Sequence, residues 1–300
     1  MTLDTTTIAL VCLVLLAAGY AVVLAVSLVP RLAPTADEIL AILHTEAVIV
    51  VTVVSAFWIG GWVLTLGLVA FTLRVGYEAT SVIFGRIGAS RRQVAAASLV
   101  LAASALIAAM LPLQYLLLLG LAGLGLCWLI VARTPAEPVS IGDAAILLAA
   151  FPGIPLALFV AAAQQGLGAW LLAAFFLVET FASYALLGGR LFGRTAAFPR
   201  LSPRKTVEGL AAGAVMLMLT AAAVGYVLID APVPASAAFA LFTGVLPVAG
   251  GLAASRLKRL SGVKDFPPII ASQGGLLDIT DAWIAAGAGV AAFAVLAGLA

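Results

Sequence analysis

SRLKRLSGVKDFPPIIASQGGLLDITD, residues 255–281, is a polar stretch set between two strongly apolar runs. It gathers Lys258, Arg259, Lys264, Asp265, Asp278 and Asp281 in a chain that carries charge at only 9% of its 300 positions. Each flank is long enough to cross hydrocarbon, so the stretch has to lie at a membrane surface. There, cations can hold phosphates and carboxylates can hold a hard metal ion.

The rest of the chain repeats this pattern. Hydrophobic residues make up 64% of it and the mean hydropathy is +1.23, a composition that leaves a soluble globule no surface to present to water. Apolar runs at 7–29, 47–73, 94–110, 113–132, 144–163, 167–187, 209–229, 232–253 and 282–300 predict nine transmembrane helices. The runs are continuous and too long for barrel strands. The expected fold is an all-α polytopic membrane protein. No Lys or Arg precedes the first run, which is also too long for a signal-peptide core and reads as a retained span.

Charge sets the expected topology. If the amino terminus and the loops after spans 2, 4, 6 and 8 share a face, that face holds every Lys and Arg except Arg31. The positive-inside rule then places the amino terminus in the cytoplasm. A net charge of +2 gives no footing for a nucleic-acid partner. Cys12 and Cys127 fall within apolar runs and read as small buried thiols, and the single histidine, His44, falls in a loop expected to form a short interfacial helix on the outer face. Arg91 and Arg92, in the loop after span 2, read as a membrane anchor.

Two regions follow from the spacing of polar residues. Residues 1–165 are a set of hydrophobic spans, and residues 166–300 carry two polar cytoplasmic loops, 188–208 and 254–281. In the first region FPGIP, residues 151–155, predicts a kink that either lines a cavity or serves packing. In the second, Glu179 is a carboxylate well inside an apolar run, a costly placement that points to function. The first polar loop, GGRLFGRTAAFPRLSPRKTVEG at 188–209, offers Ser202, Arg204, Lys205 and Thr206 as donors. Two readings stand: an anion site, or a helix opened by Ser202-Pro203 and capped with the help of Glu208.

Read together, the two loops resemble the phosphatidate cytidylyltransferases, or CDP-diacylglycerol synthases. That family ends in S-x-x-K-R-x4-K-D, then H-G-G and D-R-x-D; here stand Ser255, Lys258, Arg259, Lys264 and Asp265, then Gln273-Gly274-Gly275 and Asp278-Ile279-Thr280-Asp281. The loop G-[KR]-x-F-G-[KR] followed by S-P-x-K-T-x-E-G is matched at 189–194 and 202–209. The resemblance runs from about residue 179 to residue 281. Gln273 replaces the family's histidine, Ile279 its arginine, and Ala182 an aspartate for which Glu179, one helical turn earlier, is a candidate substitute.

The resemblance implies attack of a lipid phosphate on the α-phosphorus of CTP, giving a CDP-lipid and pyrophosphate at the inner leaflet of a cytoplasmic membrane. The acceptor expected is phosphatidate, or another lipid phosphate such as a polyprenyl phosphate. Displacement between two anions calls for positive charge and alignment. The expected cofactor is Mg2+ on Asp265, Asp278 and Asp281, with Glu179 as a further candidate ligand. Lys264 joins these three aspartates as catalytic, and Ser202, Lys205, Thr206, Lys258, Arg259 and Gln273 are expected to bind substrate. Partners expected are CTP, the lipid phosphate, membrane lipids and a second copy in a homodimer. A catalytically silent lipid-binding homologue is the alternative, and a transporter is disfavoured because the polar residues gather at one face instead of the midplane.

Overall fold

The structure is a computed structural model and describes residues 4–30, 33–133, 140–245, 247–269 and 274–299. Gln273 and Arg31 lie outside these residues. Among the described residues twelve helices run in chain order: α1 Thr5–Ser27, α2 Ala33–Ile59, α3 Gly61–Arg86, α4 Arg91–Ala108, α5 Leu113–Arg133, α6 Ile141–Leu148, α7 Ile154–Gln164, α8 Gly168–Phe192, α9 Val207–Ile229, α10 Val233–Ala240, α11 Val248–Leu260 and α12 Leu276–Leu296. A short antiparallel hairpin, β1 Ala196–Phe198 and β2 Ser202–Thr206, joins α8 to α9, with Ala196 opposite Thr206 and Phe198 opposite Ser202. Wide π turns at Ala149–Gly153 and Leu241–Val245 link α6 to α7 and α10 to α11.

The chain is an all-α polytopic membrane protein. Among the described residues eight segments are long and apolar enough to cross a membrane, with shorter apolar helices at Leu43–Ile59 and Leu113–Gly123. Polar caps start several of the helices: Asp4 accepts the Thr7 amide, and Ser90 with Gln93 and Ser140 with Asp143 form capping boxes. The kink expected at FPGIP is present as the π turn at Ala149–Gly153, where Pro152 removes a backbone donor. Phe151 and Pro152 are buried there, and Ala149 and Gly153 of the same turn line a cavity with Phe84, Leu101 and Ser104.

The count of nine needs one correction, at the run 47–73. Gly60 and Gly61 both take positive φ, 64° and 51°, a conformation that glycine adopts without strain. They end α2 and start α3 inside what hydropathy reads as one span. Two consequences follow. Residues 33–46, expected as a separate interfacial helix, are the first part of α2, and residues 74–86, expected as a cytoplasmic loop, are the second half of α3.

The added turn also reverses the parity of the chain before it. Thr7 and Ile8, at the start of α1, line an apolar cavity with Trp170 at the start of α8, Val224 near the end of α9 and Phe293 near the end of α12. The cation-bearing ends of α8 and α11 are the opposite ends of this bundle. The amino terminus therefore lies on the face opposite the cationic loops, where the nine-span count had put it with them.

The core gathers on α12. Trp283 is ringed by Phe57, Phe71, Phe159 and Phe175, from α2, α3, α7 and α8, at centroid distances of 5.9, 6.3, 4.6 and 5.1 Å. Its Nε1–H donates to the Leu171 carbonyl at 3.0 Å. Lipid is as apolar as these side chains, so the helices are held by such close packing and by buried hydrogen bonds. Another is the 2.6 Å contact between the Thr80 and Ser98 hydroxyls, which ties α3 to α4.

Candidate active site

The β1–β2 hairpin is folded back onto the helices by its own polar groups. Thr206 caps α9 by accepting the Gly209 amide at 3.2 Å, and Glu208 Oε2 accepts the Arg194 and Thr195 amides, each at 3.1 Å. The helix is therefore opened by Thr206, and Ser202-Pro203 lies in β2 instead. This geometry turns one side of β2 toward α8. The result is a cavity of about 630 Å³ bounded by α8, β2, α9, α11 and α12. Arg190, Ser202, Arg204, Lys205 and Thr206 supply its polar side, and Val178, Phe181, Ala182 and Leu210 lie on its apolar side. Ala182, Leu186 and Arg190 of α8 line the cavity and are exposed, so it is open along that helix.

Asp281 stands next to this cavity, one residue before the lining Ala282. A carbon placed on Gly251 would lie 3.5 Å from Lys205 Nζ and 3.6 and 3.7 Å from the two Asp281 carboxylate oxygens, which sets the three groups side by side. Asp281 is within electrostatic range of Lys205, Lys258 and Asp278. Glu179 is within range of Asp281 and of Glu46 on α2. Thus Ser202, Lys205 and Thr206 line the cavity, Asp281 lies beside it, and Glu179 is within electrostatic range of Asp281.

Asp278 is placed differently. Its Oδ1 accepts from Lys258 Nζ at 2.5 Å, while Oδ2 accepts the Phe266 and Gly275 amides at 2.9 and 3.0 Å. Lys258 also lies over the Phe266 ring, 5.3 Å from its centroid. Both oxygens are thus engaged within the protein, and Asp278 and Lys258 pin the loop between α11 and α12. Arg259, in the last turn of α11, and Lys264 and Asp265, on that loop, are exposed, and none of the three lines the cavity. Among the described residues no three His, Cys, Asp or Glu side chains come close enough to hold a metal ion. The set Asp265, Asp278 and Asp281 is accordingly not assembled as a three-carboxylate cage.

Sequence reasoning missed two residues, Arg74 and Glu78. Glu78 is fully buried; its Oε1 accepts Arg74 Nε at 2.6 Å and the Leu276 amide at 2.9 Å, and its Oε2 accepts the Leu277 amide at 2.7 Å. Arg74 Nη2 donates to the Pro267 carbonyl at 2.7 Å. The available signal was a lone acid among the apolar residues 75–84, four positions after an arginine. It was hidden by the expectation of a loop there.

Comparison with known proteins adds two findings. The model of the Cytidylyltransferase family matches residues 4–297. The chain is also similar to the phosphatidate cytidylyltransferase of Aquifex aeolicus (strain VF5), at 36% identity over 108 residues, 35% of this chain and 38% of that protein. The corresponding proteins of Haemophilus influenzae and Bacillus subtilis (strain 168) align at 34% over 125 residues and 35% over 104. These alignments cover 39% and 34% of this chain and 42% and 38% of those proteins. The aligned stretches thus span about two fifths of each relative.

Proposed function

The chain belongs to the Cytidylyltransferase family, and from that premise we propose that it transfers the cytidylyl group of CTP to phosphatidate, with release of pyrophosphate. The observation that carries this reading is the open cavity along α8, whose polar side is cationic and whose other side is apolar. Such a shape suits a lipid phosphate. Acyl chains lie along Ala182 and Leu186 of α8, and the phosphate reaches Arg190, Arg204 and Lys205 at the membrane surface. The cation-bearing ends of α8 and α11 then mark the cytoplasmic side, and the amino terminus faces the opposite compartment. The membrane is the cytoplasmic one.

In the reaction an oxygen of the lipid phosphate attacks the α-phosphorus of CTP. The bond from that phosphorus to the bridging oxygen of the β-phosphate breaks, and pyrophosphate leaves with the electron pair. A phosphomonoester is largely ionised near neutral pH, so the attacking oxygen needs no general base. Arg190, Arg204 and Lys205 lower the repulsion between the two anions, and the Ser202 hydroxyl orients a phosphate oxygen.

The residues present fit Mg2+ in one form. Mg2+ commonly keeps water and takes one or two protein carboxylates along with substrate phosphates. Asp281 supplies such a carboxylate, with Glu179 in reach of its charge. Bound there, the ion would supply positive charge to the phosphates and the leaving pyrophosphate. Asp278 acts as a support for the loop.

Ile279, in place of the arginine of D-R-x-D, removes a fork-shaped anion partner and favours a second reading, an acceptor other than phosphatidate such as a polyprenyl phosphate. The test is pyrophosphate release by the purified protein in detergent with CTP, Mg2+ and phosphatidate, beside Asp281→Asn and a series of other lipid phosphates. Release that the variant loses supports the reading. Absence of release with every acceptor overturns it in favour of a silent lipid-binding homologue.

A further inference from the structure

We infer that Arg74 and Glu78 of α3 are positioning residues that fix the start of α12, and with it Asp281, for the transfer; the inference rests on the function proposed above. The amide bonds of Glu78 fall on Leu276 and Leu277, the two residues just before Asp278. The Arg74 bond falls on Pro267, in the loop that leads from α11. One pair of side chains thus grips the polar loop at two points about 190 residues away in sequence.

The local chemistry shows why α12 needs such a grip. The first amides of a helix have no partner within it, and a Ser, Thr, Asp or Asn side chain at the capping position commonly supplies one. Here the capping position is Gly275, which has no side chain. The Glu78 carboxylate takes the place of a local cap. The fit is mutual, since a methyl on Gly275 would fall 2.5 Å from Glu78 Oε2. Arg74 orients the carboxylate by its bond at 2.6 Å.

The link to the cavity is geometric. Helix α12 begins at Leu276, and Asp281 sits little more than one turn beyond it. A shift or roll of the helix start moves Asp281 relative to Lys205, on the separate element β2. Asp278, the neighbour of the two anchored amides, holds Lys258 and the Phe266 amide. The Glu78 clamp therefore also sets where the Asp278 pin engages.

The test compares Glu78→Gln, Gly275→Ala and Ser98→Ala in the full-length protein in detergent. The Gln variant keeps the shape but can accept at only one of the two oxygens. The Ala variant at 275 dislodges Glu78 from the other side. Ser98→Ala removes a buried hydroxyl contact of α3 away from α12 and controls for general loosening. Amide hydrogen exchange at residues 276 and 277 is expected to be roughly tenfold faster in the first two variants and unchanged in the control.

Per folded molecule, kcat is expected to fall roughly 10- to 100-fold in the first two with the KM for CTP little changed, and to hold in the control. Unchanged exchange in both variants overturns the clamp. Faster exchange with kcat intact, or an equal loss in Ser98→Ala, overturns the positioning role. If the wild type turns over no lipid phosphate, the proposed transfer fails, and the exchange result alone decides whether the pair holds α12.

Discussion

Lys258 and Asp278 provide a quantitative test of how the loop before α12 is held. Their side chains are 13% and 10% exposed, so the pair is close to fully desolvated. Removing one partner of such a pair strands the other, at about 3–5 kcal/mol for a buried charge. Asp278→Asn leaves the Lys258 ammonium facing an amide donor, but its remaining oxygen can keep the Phe266 and Gly275 amides. The cost expected is at the low end, about 3 kcal/mol. Lys258→Met leaves the carboxylate on two backbone amides at a helix start, where negative charge is favoured, and is expected to cost about 1–2 kcal/mol.

In the double variant no charge is stranded, the amide bonds remain and the introduced thioether side chain packs on the Phe266 ring. Its cost is expected at about 2 kcal/mol, leaving about 2–3 kcal/mol of coupling. Denaturant titration of the four proteins in one detergent, followed by tryptophan emission, gives the cycle. Additivity within about 0.5 kcal/mol would refute the pairing. Pyrophosphate release adds an independent reading: a structural pin predicts that the double variant recovers activity lost in Asp278→Asn, and a metal ligand at Asp278 predicts no recovery.

Two further outcomes are expected. Trp283→Phe removes the donor to the Leu171 carbonyl and part of the ring cluster, so thermal unfolding in detergent should show a loss of about 1–3 kcal/mol with little change in the KM for CTP. For topology, in a chain with Cys12 and Cys127 replaced by Ala, a membrane-impermeant maleimide applied to intact cells should label Thr5→Cys, and should label Arg92→Cys only after permeabilisation. The reverse pattern would sink the assignment of the amino terminus to the face opposite the cations.

Hydropathy made most helices legible, because each span is a run of apolar residues that lipid requires to be helical. What it hid was the break at Gly60–Gly61. Two glycines inside an apolar run lower its hydropathy little, yet their positive φ turns the chain and moves residues 74–86 from a loop into α3. The site divides along the same line. Ser202, Lys205, Thr206 and Asp281 were legible because their spacing sits in recognisable loops. The duty of Asp278 was not, since a carboxylate that binds metal and one that holds a lysine and two amides have the same spacing in sequence. Glu78 was missed because its stretch read as a loop and the two amides it accepts are nearly two hundred residues away.

The start of α12 also bears on where phosphates can go. A helix amino terminus is a ready anion site, but here Glu78 takes the Leu276 and Leu277 amides and Asp278 takes that of Gly275. Internal carboxylates have closed it. A substrate phosphate must then meet side-chain cations, and those facing the cavity are Arg190, Arg204 and Lys205. Lys205 already shares its field with Asp281, so a triphosphate brought to Lys205 meets a carboxylate as well. Two anions drawn to one lysine repel each other unless further positive charge joins them. For the transfer proposed here, this makes a requirement for a divalent cation the expected behaviour, even though no cage of three carboxylates is present among the described residues.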